Sequence, residues 1–151
     1  MLVAKELDVK SNEHYHDHER VVYFEHEPAG LKAIISVHNT NLGPSLGGCR
    51  MNHYETQQDA IDDVLRLSCG MTYKSALAGL PLGGGKSVII GNPRRDKTTD
   101  LFEAMGEAIE YMSGSYITAE DVGTSEDNME SISKNTKFVA GLPLSVLKQR
   151  V

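Results

Sequence analysis

Three consecutive glycines followed by a lysine and an apolar run, Gly83-Gly84-Gly85-Lys86-Ser87-Val88-Ile89-Ile90, constrain this chain more than any other feature. Glycine loses more conformational freedom on folding than any other residue, so three in a row imply that something must approach this backbone closely. The run lies within the stretch Gly70–Pro93, which holds a second lysine, Lys74, across an apolar, glycine-rich turn. Two ammonium groups beside bare backbone point to an anionic small molecule. One of them would be pushed toward neutrality by the other's charge and by burial.

A phosphate loop is the first candidate for such a run. A Walker A loop needs a glycine, four residues, then Gly-Lys-Ser/Thr, set between a strand and a helix. Here Leu80 holds the required glycine position, Gly79 stands one residue too far from Gly85, and the residues after Lys86 read as strand. The helix N-terminus that would bind phosphate is therefore missing. A Gly-x-Gly-x-x-Gly between strand and helix, the dinucleotide fingerprint, is also absent. A formal charge of −6 argues against nucleic acid as the main partner.

At 151 residues and 40% hydrophobic content, the chain is long enough for one domain with a real core. Cys49 and Cys69 show no CxxC or zinc-type spacing, and Cys69, on an apolar helical face, is expected as a buried free thiol. No apolar run is long enough to span a membrane, and the N-terminus lacks the pattern of a secretory signal. A reducing cytoplasm fits these features. His14, His16 and His18 would share one face of a strand, an arrangement that can hold a metal. With no Cys or Glu to complete such a site, a solvated His-rich segment is the expectation, and no metal is assigned.

Arg20–Glu25 and Leu31–His38 read as strands joined by the turn Glu27-Pro28-Ala29-Gly30, an antiparallel hairpin at one edge of a sheet. A glycine-rich loop, 39–48, and a short strand from Cys49 follow. Thr56 caps an amphipathic helix carrying Ala60, Val64, Leu67 and Met71 at helical spacing, with Gly70 weakening its later part. Ser87–Gly91 is then a buried, parallel strand. A second helix runs from Thr98 or Thr99 to about Met112, and a brief strand, Tyr116–Thr118, follows it. Ser125 or Asp127 caps a last helix, and Phe138-Val139 starts one more strand. This alternation predicts an α/β domain, three-layer α/β/α, with a mixed, mostly parallel sheet and an antiparallel N-terminal strand pair.

Lys86 at a strand entrance can act as a general base if burial and a neighbouring cation lower its proton affinity. Asp121 stands just after a strand, where catalytic carboxylates of open α/β sheets often sit. Taken singly, a lysine is more often solvated and an aspartate before a helix is more often a cap. The combination is what carries chemistry.

Four ordered segments carry a resemblance: Leu42–Gly48, Gly70–Lys74, Leu80–Pro93 and Tyr116–Thr124. Over roughly residues 20–142 the chain resembles the glutamate/leucine/phenylalanine/valine dehydrogenase family, in its substrate-binding and oligomerisation domain. The resemblance implies reversible oxidative deamination of an L-amino acid to a 2-oxo acid and ammonia, with NAD as cofactor. It implies that Lys74 binds the substrate carboxylate, that Lys86 activates water, and that Asp121 shares in proton transfer. Leu46, Gly47, Gly48, Met71 and Ala119 would line the substrate, with the glycines leaving room for it. Glutamate-type members place a lysine near Leu46 and a polar residue near Met71. Apolar residues there imply an apolar, branched-chain substrate, since a carboxylate buried against them would be costly. The wording Thr118–Gly123 is similar to that of leucine-specific members. Phenylalanine or valine specificity is the alternative.

After Gly141 the expected crossover gives way to an atypical segment, 143–151, and the expectation is of a chain without the Rossmann domain. Residues 1–142 are thus expected to form the substrate and oligomer-forming domain, with no site for NAD and no turnover by the chain alone. A binding module for amino or 2-oxo acids without turnover, or an oligomer-forming module, are the other function classes. A homo-oligomer formed through this domain is expected, with no nucleic acid and no membrane as partner.

Overall fold

Leu31–Asn39 is buried at almost every position because both of its faces are covered. The computed structural model describes residues 1–142. Its elements run β1 (Val3–Glu6), β2 (Arg20–His26), β3 (Leu31–Asn39), β4 (Ser45–Asn52), α1 (Gln57–Leu77), β5 (Gly83–Ile90), α2 (Thr99–Tyr111), β6 (Tyr116–Glu120) and α3 (Glu126–Ile132). The strands form one sheet in the order β1-β2-β3-β5-β4-β6.

Side chains alternate across this sheet and build two cores. On one face Ala33, Ile35 and Val37 of β3 and Ile89 of β5 join Leu101, Phe102, Met105 and Ile109 of α2 and Met129 and Ile132 of α3. On the other face Val21, Ile34 and Val88 join Ala60, Val64 and Leu65 of α1. The result is three layers, as expected. Each helix starts where a hydroxyl can replace a missing backbone partner. Thr56 accepts from the Asp59 N–H at 3.1 Å, Thr98 from the Leu101 N–H at 3.1 Å, and Ser125 forms a reciprocal capping box with Asn128.

The sheet is mixed, but antiparallel ladders outnumber parallel ones among the described residues, against the expectation of a mostly parallel sheet. β1–β2, β2–β3 and β3–β5 are antiparallel, and only β4–β5 and β4–β6 are parallel. The expectation weighed the strand–helix alternation and missed β1, whose four residues pair with β2 and take the sheet edge from the hairpin. Two further differences concern glycine. Ser45–Gly48, read as loop, belongs to β4, and the triplet Gly83–Gly85, read as a turn, is the first part of β5. Phe138-Val139 contributes a single bridge, Thr118 to Val139, and no full strand.

Cys49 and Cys69 are both free, but the buried one is Cys49, while Cys69 is only half-buried. Burial pushes the Cys49 thiol up to about 12. His14, His16 and His18 lie in an irregular segment, and no group able to hold a metal occurs among the described residues. No helix among those residues is long and apolar enough to cross a membrane. The 143–151 segment lies outside the described residues.

Candidate active site

α1 packs chiefly across β3 and β5 and leaves the same face of β4 and β6 largely open. Strand alternation places Leu46, Gly48 and Arg50 of β4 on that open face, beside Lys86 of β5. In register, Leu46 stands between Gly84 and Ile117, and Gly48 pairs with Ala119. Asp121 follows β6 immediately and turns its carboxylate onto the same face.

The Lys86 ammonium lies 3.0 Å from Asp121 Oδ2. Arg50 Nε donates to that same oxygen, also at 3.0 Å. The Lys86 side chain is 7% exposed and that of Asp121 20%, so the pair is screened from bulk water but reachable. Burial by itself would raise the Asp121 carboxyl. The hydrogen bond and charge of Lys86, together with the Arg50 charge, outweigh it and hold the carboxyl below its ordinary value of 3.8. Asp121 is therefore a carboxylate that two cations keep ionised.

Behind the site, on the opposite face, the buried Tyr116 hydroxyl donates to the Gly47 carbonyl at 2.6 Å and meets Ser87 Oγ at 2.8 Å. Burial drives this phenol well above its usual range, so it stays a hydrogen-bond donor. It ties down the backbone of Gly47-Gly48 from below.

The close approach that the glycines require is made by the protein itself. A Cβ on Gly84 would lie 2.1 Å from the Thr72 nitrogen, so the α1 backbone rests directly on β5 there. A Cβ on Gly47 would meet the Gly85 carbonyl at 1.6 Å, and one on Gly48 would meet the Asp121 Cβ at 2.6 Å. Gly47 thus faces β5 and the Tyr116 side, while Gly48 makes room for a catalytic candidate. This differs from the expectation that their bareness makes space for substrate.

Lys86, Asp121, Leu46, Gly48 and Ala119 are brought together on one face. Met71 is half-buried in α1, one residue before the Thr72–Gly84 contact. Lys74 is exposed in the last turn of α1. The partner found for the Lys86 ammonium is the Asp121 carboxylate. Sequence reasoning passed over Arg50 and the residue behind it, Asp63. Arg50 sits two residues after Gly48 in β4, a same-face position that the loop assignment of 39–48 concealed.

The family profile described as Glu/Leu/Phe/Val dehydrogenase, dimerisation domain, matches residues 18–138. The chain is 54% identical over 127 residues to leucine dehydrogenase of Bacillus subtilis (strain 168), which covers 84% of this chain and 35% of that protein. It is 50% identical over 127 residues to phenylalanine dehydrogenase of Caldalkalibacillus thermarum (strain TA2.A1), covering 84% and 34%. Among solved structures, L-tryptophan dehydrogenase from Nostoc punctiforme superposes with a TM-score of 0.79 at 45% identity, covering 82% of this chain and 37% of that one. The chain spans about a third of the length of the curated relatives it matches. With the profile match covering both the Lys86 strand and Asp121, the chain belongs to the Glu/Leu/Phe/Val dehydrogenase family and corresponds to its dimerisation domain.

Proposed function

We propose that residues 1–142 form the substrate side of an NAD-dependent L-amino-acid dehydrogenase with a preference for branched-chain, leucine-like substrates. The overall reaction converts amino acid, NAD⁺ and water into 2-oxo acid, ammonium, NADH and a proton. The observation that carries the reading is the Lys86–Asp121 pair, 3.0 Å apart on an open face beside Leu46, Gly48 and Ala119. The nicotinamide, when bound, accepts the electrons of the substrate Cα–H bond. The described residues hold no dinucleotide fingerprint, so none is assigned to the cofactor and no step is derived through it.

On this reading Lys74 anchors the substrate carboxylate from the end of α1. Lys86 and Asp121 form a short proton path. The Lys86 ammonium first passes a proton to Oδ2 of Asp121, the neutral Nζ then takes one from the attacking water, and Oδ2 hands its proton on to the substrate nitrogen. General acid–base groups placed this way contribute about 10²–10⁴ in rate. Leu46, Met71 and Ala119 offer apolar contact, and a substrate carboxylate buried against them would be left unpaired. The relatives named for leucine, phenylalanine and tryptophan support an apolar substrate class. One methylene is worth only about 1–3 kcal/mol in such a pocket, so leucine, valine and isoleucine are not sharply separated. The dimerisation domain matched by the family profile supports a homo-oligomer built through this domain.

The test joins residues 1–142 to the remaining sequence of the Bacillus subtilis leucine dehydrogenase and follows NAD reduction. Faster turnover of L-leucine than of L-glutamate is expected, and the reverse order overturns the reading. The 151-residue chain alone is expected to bind 2-oxoisocaproate by calorimetry without reducing NAD in the presence of L-leucine. Dependable NAD reduction by that chain would contradict the division of labour.

A further inference from the structure

Arg50 has no part in the proton path just described, yet it makes the second bond to its carboxylate. Its Nε donates to Asp121 Oδ2 at 3.0 Å, the oxygen that also faces Lys86 Nζ. Its Nη1 lies 3.6 Å from Asp63 Oδ2 of α1. Asp63 is itself held from two sides, by the Tyr54 hydroxyl at 2.6 Å and by Arg66 Nη2 at 2.6 Å. One guanidinium therefore spans two carboxylates, one on the helix and one at the site. The Arg50 side chain is 22% exposed and that of Asp63 15%, so water competes little for either the hydrogen bond to Asp121 or the ion pair with Asp63.

This geometry matters because Asp121 begins a loop. It follows the last residue of β6, and its own N–H is bound by the Thr124 hydroxyl at 3.0 Å. A carboxylate at a strand end that met only Lys86 would have one flexible partner, a point charge on a long stem. The guanidinium adds a planar donor whose direction is fixed at its other end by Asp63. Gly48, directly against Asp121, offers the carboxylate no side chain of its own to lean on, which leaves that task to Arg50 in the same strand.

We propose that Arg50 is the positioning residue of the site: buttressed by Asp63, it holds the Asp121 carboxyl group facing Lys86, in reach for the pair to exchange protons. The inference rests on the proposed roles of Lys86 and Asp121 for its catalytic meaning, but its structural content can be read without catalysis. Charged groups facing Asp121 come from β5 (Lys86) and β4 (Arg50), with Asp63 of α1 behind Arg50.

The direct experiment follows the Asp121 side-chain carboxyl by carbon NMR across acid pH in the 151-residue chain. In Arg50→Met the Asp121 titration is expected to move to higher pH than in the unaltered chain. Arg50→Lys, which keeps the charge but loses the fork, is expected to fall between the two. An Asp121 titration unchanged in a folded Arg50→Met variant overturns the proposal, as does an Arg50→Lys value equal to that of Arg50→Met. If Arg50→Met does not fold, Arg50→Lys decides alone: a shift upward supports the role and no shift overturns it. In the chimeric enzyme, Arg50→Lys is expected to lower kcat about tenfold with little change in KM. The acid limb of its pH–rate profile is expected to move to higher pH. A KM effect with kcat and profile unchanged would assign Arg50 to binding and overturn the positioning role. Absence of activity in the unaltered chimera would count against the proposed function, while the NMR titration would still test Arg50.

Discussion

The Cα of Gly48 faces the side chain of Asp121 so closely that an added Cβ would lie 2.6 Å from the Asp121 Cβ and 2.9 Å from the Glu120 carbonyl oxygen. One contact is the root of the side chain and the other is backbone, so neither can swing away. The glycine is part of how the carboxylate is placed. Gly48→Ala is expected to push Asp121 away from Lys86 and Arg50. A cost of about 1–3 kcal/mol is the usual scale for such overpacking. Urea unfolding of the 151-residue chain gives the stability loss, and a crystal structure of the variant should show the 3.0 Å Lys86–Asp121 contact lengthened. A variant as stable as its parent with the contact intact would refute the assignment.

Two other glycines should respond in opposite directions. Gly84 has the α1 backbone at Thr72 against it, with the nitrogen 2.1 Å from a Cβ position, whereas Gly70 within α1 has nothing within 4 Å. Gly84→Ala is expected to lift α1 from β5 and destabilise by more than Gly48→Ala. Gly70→Ala removes backbone freedom from the unfolded chain and favours helix, a gain of about 0.5–1 kcal/mol. Thermal melts of the two variants should therefore shift to opposite sides of the parent, and shifts of the same sign would contradict the packing described.

These glycines also mark where the sequence was legible and where it was not. The cadence of Arg20–Glu25, Leu31–His38 and the Thr98–Met112 helix announces burial directly, since β3 and α2 are apolar on the faces they bury. Lys86 and Asp121 could be singled out only in combination, with the ordered segments of the family resemblance around them, since either residue alone has an ordinary placement. The glycine-bearing starts of β4 and β5 could not be seen as strands, because glycine has low strand preference and no side chain to alternate. Only the neighbouring backbone explains them, and that is a tertiary fact. Arg50 was concealed for the same reason: with Gly47-Gly48 read as loop, its face could not be assigned. β1 was missed because its burial pattern is largely exposed, as suits an edge.

Removing either member of the proposed catalytic pair, Lys86 or Asp121, should separate chemistry from binding. Lys86→Met leaves Asp121 with Arg50 as its cation, and Asp121→Asn leaves a buried ammonium with a neutral partner. In the chimeric enzyme each is expected to reduce kcat about a hundredfold or more, the scale of general acid–base catalysis. Lys74→Ala, at the exposed end of α1, is expected to weaken 2-oxoisocaproate binding to the 151-residue chain. Calorimetry showing equal affinity in Lys74→Ala would remove its role as carboxylate anchor.

The N-terminal histidine segment sets an acid limit on stability, through His18. This ring is 7% exposed. Its Nε2–H donates to the Leu65 carbonyl at 2.8 Å, and the His16 N–H donates to its Nδ1 at 3.1 Å. A proton on Nδ1 would meet that N–H head on. The His38 ring packs edge-on at 4.6 Å and donates through Nε2 to the His16 carbonyl at 2.8 Å, with the Thr72 hydroxyl at its other nitrogen. Burial lowers the His18 imidazole from 6.5 to about 4. The Leu65 bond and Asp17 oppose the shift, and His38 and His16 add to it. The unfolded chain therefore binds more protons than the folded one between these values. Stability is full above about pH 6.5, falls as the pH drops toward about 4, and loses at most about 3 kcal/mol over that window through this residue. The lowered Asp121 carboxyl adds an acid loss of its own, at lower pH, because its carboxylate form is favoured only above its folded value. Urea unfolding at pH 7 and pH 5 should show the fall in the unaltered chain and a flatter dependence in His18→Gln, which keeps a polar side chain without a titrating ring. An equal slope in both proteins would exclude His18 as its source.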